Sequence, residues 1–171
     1  TPTPTPVTPT PTPVTPTPTP DFDCAAAIAA ADPNNLRILS DGFDGTTYTY
    51  TIRNNTGKDF PVAVAVYRVY GPKPSNPNEA DLDTQQLDNV SAPAIAPAGG
   101  TVTISANVPS PFCAHQVDIV CGPVLNQLSN TDPNLQYGTR KIMSVDGGFS
   151  GAFVNPFDWK GALCGGVNPA Q

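Results

Sequence analysis

The residues able to do acid–base, nucleophilic or metal chemistry are few in this chain and poorly placed for it. His115 is the single histidine, so any Ser/His/Asp or Cys/His relay must pass through it. In "CAHQVDIVC" (113–121), apolar Val117 and Ile119 alternate with polar Gln116 and Asp118, the pattern of a strand. That alternation sets His115 on the face of Val117 and Ile119, the position of a packed histidine rather than a base. Paired carboxylates for glycosidic chemistry need two acids facing each other across a cleft. Asp41, Asp44, Glu79, Asp81, Asp83 and Asp88 are available, and all fall in segments that read as turns. "SDGFDG" (40–45) and "NPNEADLDTQQLD" (76–88) offer oxygens for calcium, but neither has the spacing and glycine of an EF-hand loop. No catalytic residue, metal or cofactor is assigned, and the chain does not read as an enzyme.

The remaining chemistry is covalent and structural. Cys24, Cys113, Cys121 and Cys164 read as paired disulfides of a protein exposed to an oxidising compartment. A zinc site is a poor rival, because there is no CxxC pair and one histidine. If 113–121 is one strand, its two cysteines stand about 26 Å apart and cannot join each other. Cys24 and Cys164 then each meet one of them, and Cys24–Cys121 with Cys113–Cys164 is the favoured arrangement. Two N-x-S/T triplets, Asn54-Asn55-Thr56 and Asn89-Val90-Ser91, are candidate N-glycosylation acceptors in what read as loops.

Residues 1–20, "TPTPTPVTPTPTPVTPTPTP", hold nine Thr, nine Pro and two Val. Proline at every second position removes amide donors and fixes φ, and each Thr before it is pushed to extended geometry. The segment therefore reads as a polyproline II stalk of roughly 60 Å. Its turn of about 120° per residue sends the Thr hydroxyls to every side, which suits a sleeve of sugar better than a one-sided partner. Thr1, Thr3, Thr5, Thr8, Thr10, Thr12, Thr15, Thr17 and Thr19 are the expected O-glycosylation sites. A chain opening on TPTP without Met reads as a processed fragment.

Composition narrows the partners. Only 13% of residues are charged, the net charge is −6, and Lys and Arg form no run, which excludes nucleic acid and anionic membrane surfaces. The longest apolar run, "CAAAIAAA" (24–31), is too short to span a bilayer. Residues 21–171 are enough for one domain with a proper core.

Within that domain the patterning is that of β-structure. "LRILS" (36–40) and "TTYTYTIRN" (46–54) lead into the turn "NNTGKD" (54–59) and then "FPVAVAVYRVYG" (60–71). Tyr48, Tyr50 and Ile52 share one face, and Val62, Val64 and Val66 point inward with small Ala between them. A hairpin over 46–71 is the natural expectation. "TVTISANV" (101–108) follows the turn "PAGG", and "RKIMSV" (140–145) and "GAFV" (151–154) are plausible late strands. "AAAIAAAD" (25–32) suits either a helix or a small-residue strand.

Three segments, "TYTYTIRNNTGKDFPVAVAVYRVYG", "APAGGTVTISANVP" and "CAHQVDIVCGP", carry a resemblance over roughly residues 36–125. With their "T-x-T-x-x-N-x-T-G" turn and "C-x-x-Q-V-D" strand, they resemble the immunoglobulin-like sandwich modules of secreted bacterial surface proteins. The resemblance implies an all-β, immunoglobulin-like antiparallel β-sandwich on the stalk, and a role in surface stalks, adhesins or fibre subunits. The chain departs from that pattern in its cysteines around "QVDIV" and in its last 35 residues.

Two roles follow. As a structural subunit of an extracellular fibre, the chain would have copies of itself and attached glycans as partners, with the stalk or a strand of one copy fitting the next. As a carbohydrate-binding or adhesive module on a Pro/Thr linker, it would need exposed aromatics to stack on sugar rings, and "NPFDWKG" (155–161) offers Trp159 and Phe157. Tyr48 and Tyr50 are expected in the core instead. The fibre is the favoured reading.

Overall fold

The structure, a computed structural model, describes residues 23–28, 35–110, 113–147 and 164. The Thr residues of 1–20, the "GAFV" strand, and Trp159 and Phe157 lie outside the described residues. Within them the fold is all-β, in antiparallel sheets, with one short helix α1 (Cys24–Ile28) and three single 3-10 turns.

One sheet has the order β1-β2-β8, built from β1 (Leu36–Phe43), β2 (Thr47–Asn54) and β8 (Thr101–Asn107). The other has the order β10-β9-β3-β6, from β3 (Phe60–Arg68), β6 (Gln86–Val90), β9 (His115–Cys121) and β10 (Lys141–Gly147). In that second sheet β7 (Ala94–Ala96) also pairs with β3, beyond the end of β6. A separate two-stranded ribbon joins β4 (Pro72–Lys73) to β5 (Asn76–Ala80).

The alternating residues explain why the two sheets meet. Tyr50 and Ile52 of β2 and Ile104 and Ala106 of β8 share one apolar core with Val62, Val64 and Val66 of β3 and Val117 and Ile119 of β9. Each large aliphatic side chain buried this way contributes about 1.5–3 kcal/mol. β3 and β9 have strands on both sides, and their second face is covered as well. Ala63, Ala65 and Tyr67 of β3 and Val120 of β9 form a smaller cluster with Leu128 and Tyr137, from the segment between β9 and β10. A strand buried on both faces reads as a nearly continuous apolar run, which is what "FPVAVAVY" is.

One expectation is corrected. β2 and β3 do not form a hairpin, because β2 pairs with β1 and β8 while β3 pairs with β6, β7 and β9. The "NNTGKD" turn carries the chain from one sheet to the other. Asn54 fixes that crossing, its Nδ2 donating to the carbonyls of Lys58 (2.7 Å) and of Ala96 in β7 (2.8 Å). The ambiguous alanine segment is helical over 24–28, where Asp23 accepts from the amide of Ala26 through its side chain and from that of Ala27 through its carbonyl.

Candidate functional site

The feature around which the described groups converge is β9. All seven of its residues are buried, and it is tied covalently near both ends. Cys121, its last residue, is bonded to Cys24 of α1, and Cys113, two residues ahead of it, is bonded to Cys164. Cys113 and Cys121 are not joined to each other, as an extended strand requires.

The turn after β9 is shaped for this bond. Gly122 sits at φ +87°, and a Cβ there would lie 3.6 Å from Cys24 Sγ and 3.2 Å from Arg140 Nη1. A side chain would be strained in that conformation and crowded against the arginine. Arg140 Nη1 donates to the carbonyls of Cys121 (3.2 Å) and Pro123 (2.9 Å), and its guanidinium lies over the Tyr137 ring.

At the other end of β9, His115 is wholly buried on the core face. Its Nδ1 lies 2.7 Å from the Cys113 carbonyl and its Nε2 3.1 Å from Tyr48 Oη. A carbonyl only accepts, so Nδ1 carries the hydrogen and Nε2 accepts from the tyrosine. Burial holds the imidazole below its ordinary pKa, outweighing the Cys113 carbonyl and the charge of Asp88. A neutral ring with both nitrogens engaged is a structural bridge between β9 and β2, and Phe43 stacks on Tyr48 beside it at 4.4 Å.

The opposite face of β9 holds Asp118, fully buried. It accepts from Gln116 Nε2 (3.0 Å) and Ser144 Oγ (2.7 Å), and Lys141 Nζ stands 2.9 Å away. Gln116 in turn accepts from Gln85 Nε2 at 2.9 Å. Next to this network Tyr67 Oη donates to the Leu125 carbonyl (2.6 Å), and Tyr137 Oη accepts from the Leu125 amide (2.9 Å) and meets Tyr67 Oη at 2.5 Å. Burial pushes both phenols above their usual range. The tyrosine bonds hold the 122–140 segment onto the sheet, and the Asp118 bonds tie β9 to β10.

Four of the acids named from the sequence, Asp44, Asp81, Asp83 and Asp88, are spent on backbone and side-chain donors. Asp44 accepts from the amides of Thr46 and Thr47, both at 2.8 Å, and these bonds lower its pKa. Asp83 accepts from Ser129 Oγ (2.7 Å) and from the amide of Asn130 (3.0 Å), which lower its pKa too, while Asn130 Nδ2 also donates to Asp81 (2.6 Å). Asp88 pairs with Arg68 across β6 and β3. Asp41 lies exposed in β1, and Glu79 falls in β5. Three of these, Asp41, Glu79 and Asp88, are thus on strands rather than turns. Among the described residues no group of three or more potential ligands converges on a metal position.

Both N-glycosylation expectations meet the same difficulty. Asn54 closes β2 with no exposure, and all four hydrogen-bonding positions of its amide are filled, two by acceptors and two by the amide and hydroxyl of Thr56. A sugar on Nδ2 would replace a bond that spans the sheets. Asn89 is half-buried within β6 rather than in a loop and donates to Asp88 at 2.8 Å. Its partner Ser91 is buried and accepts from the Val64 amide at 3.0 Å, so the triplet is part of the sheet. Tyr48 and Tyr50 are buried, as the core reading expects, and offer no stacking platform.

Two clefts remain. One, of about 590 Å³, lies where α1 meets the 56–60 turn, and its Asp59 accepts from the Ala98 amide. The other, of about 400 Å³, is floored by Tyr137 and edged by Lys73 and Lys141. Neither brings a nucleophile and a base together.

The sequence did not signal the covering segment 122–140 or strands β5, β6 and β7. β6 ("QLDNV") pairs along only one side and buries little, so its alternation is faint. No helix among the described residues is long and apolar enough to cross a membrane. The two disulfides indicate an oxidising environment. No family model matches the chain, and no curated protein matches it.

Proposed function

We propose that this chain is a structural subunit of an extracellular, glycosylated filament or surface fibre, an immunoglobulin-like β-sandwich carried on a Thr/Pro stalk and joined to other copies of itself through stalk and strand contacts. The strand order supports the fold reading. β1 and β2 pair in one sheet, the chain crosses for β3 and β6, returns for β8 and crosses again for β9 and β10, a Greek-key path over two sheets.

The observation that carries the role is the covalent path through β9. From Cys24 the path runs through a disulfide to Cys121, back along the strand to Cys113, and through the second disulfide to Cys164. A pull applied between residues 24 and 164 is borne by one central strand and two S–S bonds. The loops 25–112 and 122–163 are bypassed, so tension does not peel the hydrogen-bonded ladders. A subunit loaded end to end in a fibre needs this property, and a freely diffusing binding module does not.

Electron microscopy of the native full-length protein, coupled with intact mass, tests the reading. Regular filaments and a mass above 17.8 kDa are expected. Monodisperse particles at the bare mass would overturn it.

A further inference from the structure

We propose that the outer edge of β8 is the acceptor for one heptad of the Thr/Pro repeat of another copy, added antiparallel as a fourth strand of the β1-β2-β8 sheet. The inference rests on the assembly reading above and names its contact.

The sheet edges of the domain differ. β1 is bulged between Ile38 and Ser40, with Arg37 and Asp41 on either side. β10 is irregular between Lys141 and Met143. The β6–β7 edge shifts register at Tyr67 and is broken by Ala92 and Pro93. Bulges, charges and prolines are the usual protection of an edge against added strands. β8 has none of them. Its seven residues "TVTISAN" pair with β2 without a register shift and carry no charge, and no described residue pairs with its other side.

The register tells which groups that edge presents. The Asn54 amide donates to the Gly100 carbonyl, and the Val108 amide to the Thr46 carbonyl. Bonded pairs alternate in an antiparallel ladder, so even-numbered residues of β8 turn their backbone groups toward β2. Thr101, Thr103, Ser105 and Asn107 turn theirs to the open edge, and the side chains of all four are exposed.

The repeat is built as the complement. Docked as a β-strand in place of polyproline II geometry, the repeat would turn the N–H and C=O of successive residues to opposite sides, so in "TPTPTPV" (1–7) Thr1, Thr3, Thr5 and Val7 would put four complete sets on one side. The prolines face the other, where a missing N–H is tolerated because nothing pairs there. Four outward residues of β8 meet four of the heptad. Antiparallel addition also matches the faces, since directly opposed residues share a face. Thr5, Thr3 and Thr1 would stand beside Thr103, Ser105 and Asn107 on the wet face with Val7 beside Thr101, and Pro6, Pro4 and Pro2 beside Val102, Ile104 and Ala106 at the rim of the core. Parallel addition would reverse this. Because the unit has an odd length, the Thr side switches at Val7 and again at Val14, so one edge takes one heptad and the added strand cannot continue. Its proline edge then stops further stacking.

The test uses the full chain, with a photo-crosslinking residue in place of Thr101 or, in parallel, Thr103, and a mixture of isotopically light and heavy copies. Crosslinks from β8 to residues 1–20 of the other isotope are expected. Crosslinks within one copy, or filaments crosslinked elsewhere, would overturn this inference alone. A wild-type chain that forms no assemblies would remove the inference and the assembly reading together. Two repeat variants sharpen the result without touching the domain. Replacing all nine repeat Thr by Val keeps every N–H and should leave filaments intact, whereas replacing them by Pro keeps an extended stalk, removes the donors and should abolish filaments. Filaments that survive the Pro series, or vanish in the Val series, overturn the pairing.

Discussion

β9 and β8 are strands of equal length in one domain, and they are finished to different degrees. β9 has neighbours on both sides, both faces covered, and a disulfide near each end. Among the described residues β8 has one neighbour, one buried face, and an exposed side chain at every second residue. Stability has been concentrated in the strand that bears the covalent path, while the outer backbone groups of β8 pair with no other strand among the described residues. The difference separates what holds the domain together from what it can still bind.

The largest effect should come from cutting the frame of β9. In the chain-entropy account, closing loops of 97 and 51 residues is worth about 5 and about 4 kcal/mol. Cys113→Ala with Cys164→Ala should lower unfolding stability by about 4 kcal/mol in denaturant titration. Pulling the oxidised chain between residues 24 and 164 should extend only about 30 Å of β9, and reduction should lengthen the path to roughly 480 Å. A release of that length without reductant would break the comparison.

Truncation should separate the two strands next. Ile119→Ala in β9 should cost about 2–5 kcal/mol by leaving a core cavity, while Thr103→Ala on β8 should stay within about 0.5 kcal/mol. Equal losses in thermal melts would mean that β8 is part of the stabilised frame after all.

A third effect is a pH slope. Burial keeps His115 below its ordinary pKa of 6.5 in the folded state, so between that depressed value and 6.5 the unfolded chain binds the extra proton. Stability is therefore complete above pH 6.5 and falls as the pH drops below it. Melting temperatures measured from pH 7.5 to pH 5 should decline, and the decline should flatten in His115→Gln. The smallest effect lies in β2, which joins β8 to the core. Tyr50 is buried and its Oη has no hydrogen-bond partner among the described residues, so Tyr50→Phe should leave the melting temperature unchanged or raise it slightly.

Several elements were legible from residue order. "TYTYTIRN" and "FPVAVAVY" are strands because Tyr48, Tyr50, Ile52 and the valines recur every second residue, and the same parity put His115 with Val117 and Ile119. The "N-x-T" of Asn54 and Thr56 carries two readings, since a triplet that can accept a sugar is also one whose amide and hydroxyl can frame a turn. Only burial distinguishes the two. Asp118, polar yet enclosed, could not be placed, because its partners Ser144 and Lys141 arrive from β10, distant from its own alternation.

The sequence by itself determined the local state of β2, β3, β8 and β9, extended backbone with one face of each apolar, as a consequence of backbone sterics and a period of two. Tertiary structure alone decided that β2 and β3 belong to different sheets, that both disulfides close on one strand, and that β8 is left with an open edge. Those outcomes depend on which distant segments compete for the same backbone donors and acceptors, and no window of neighbouring residues contains that competition.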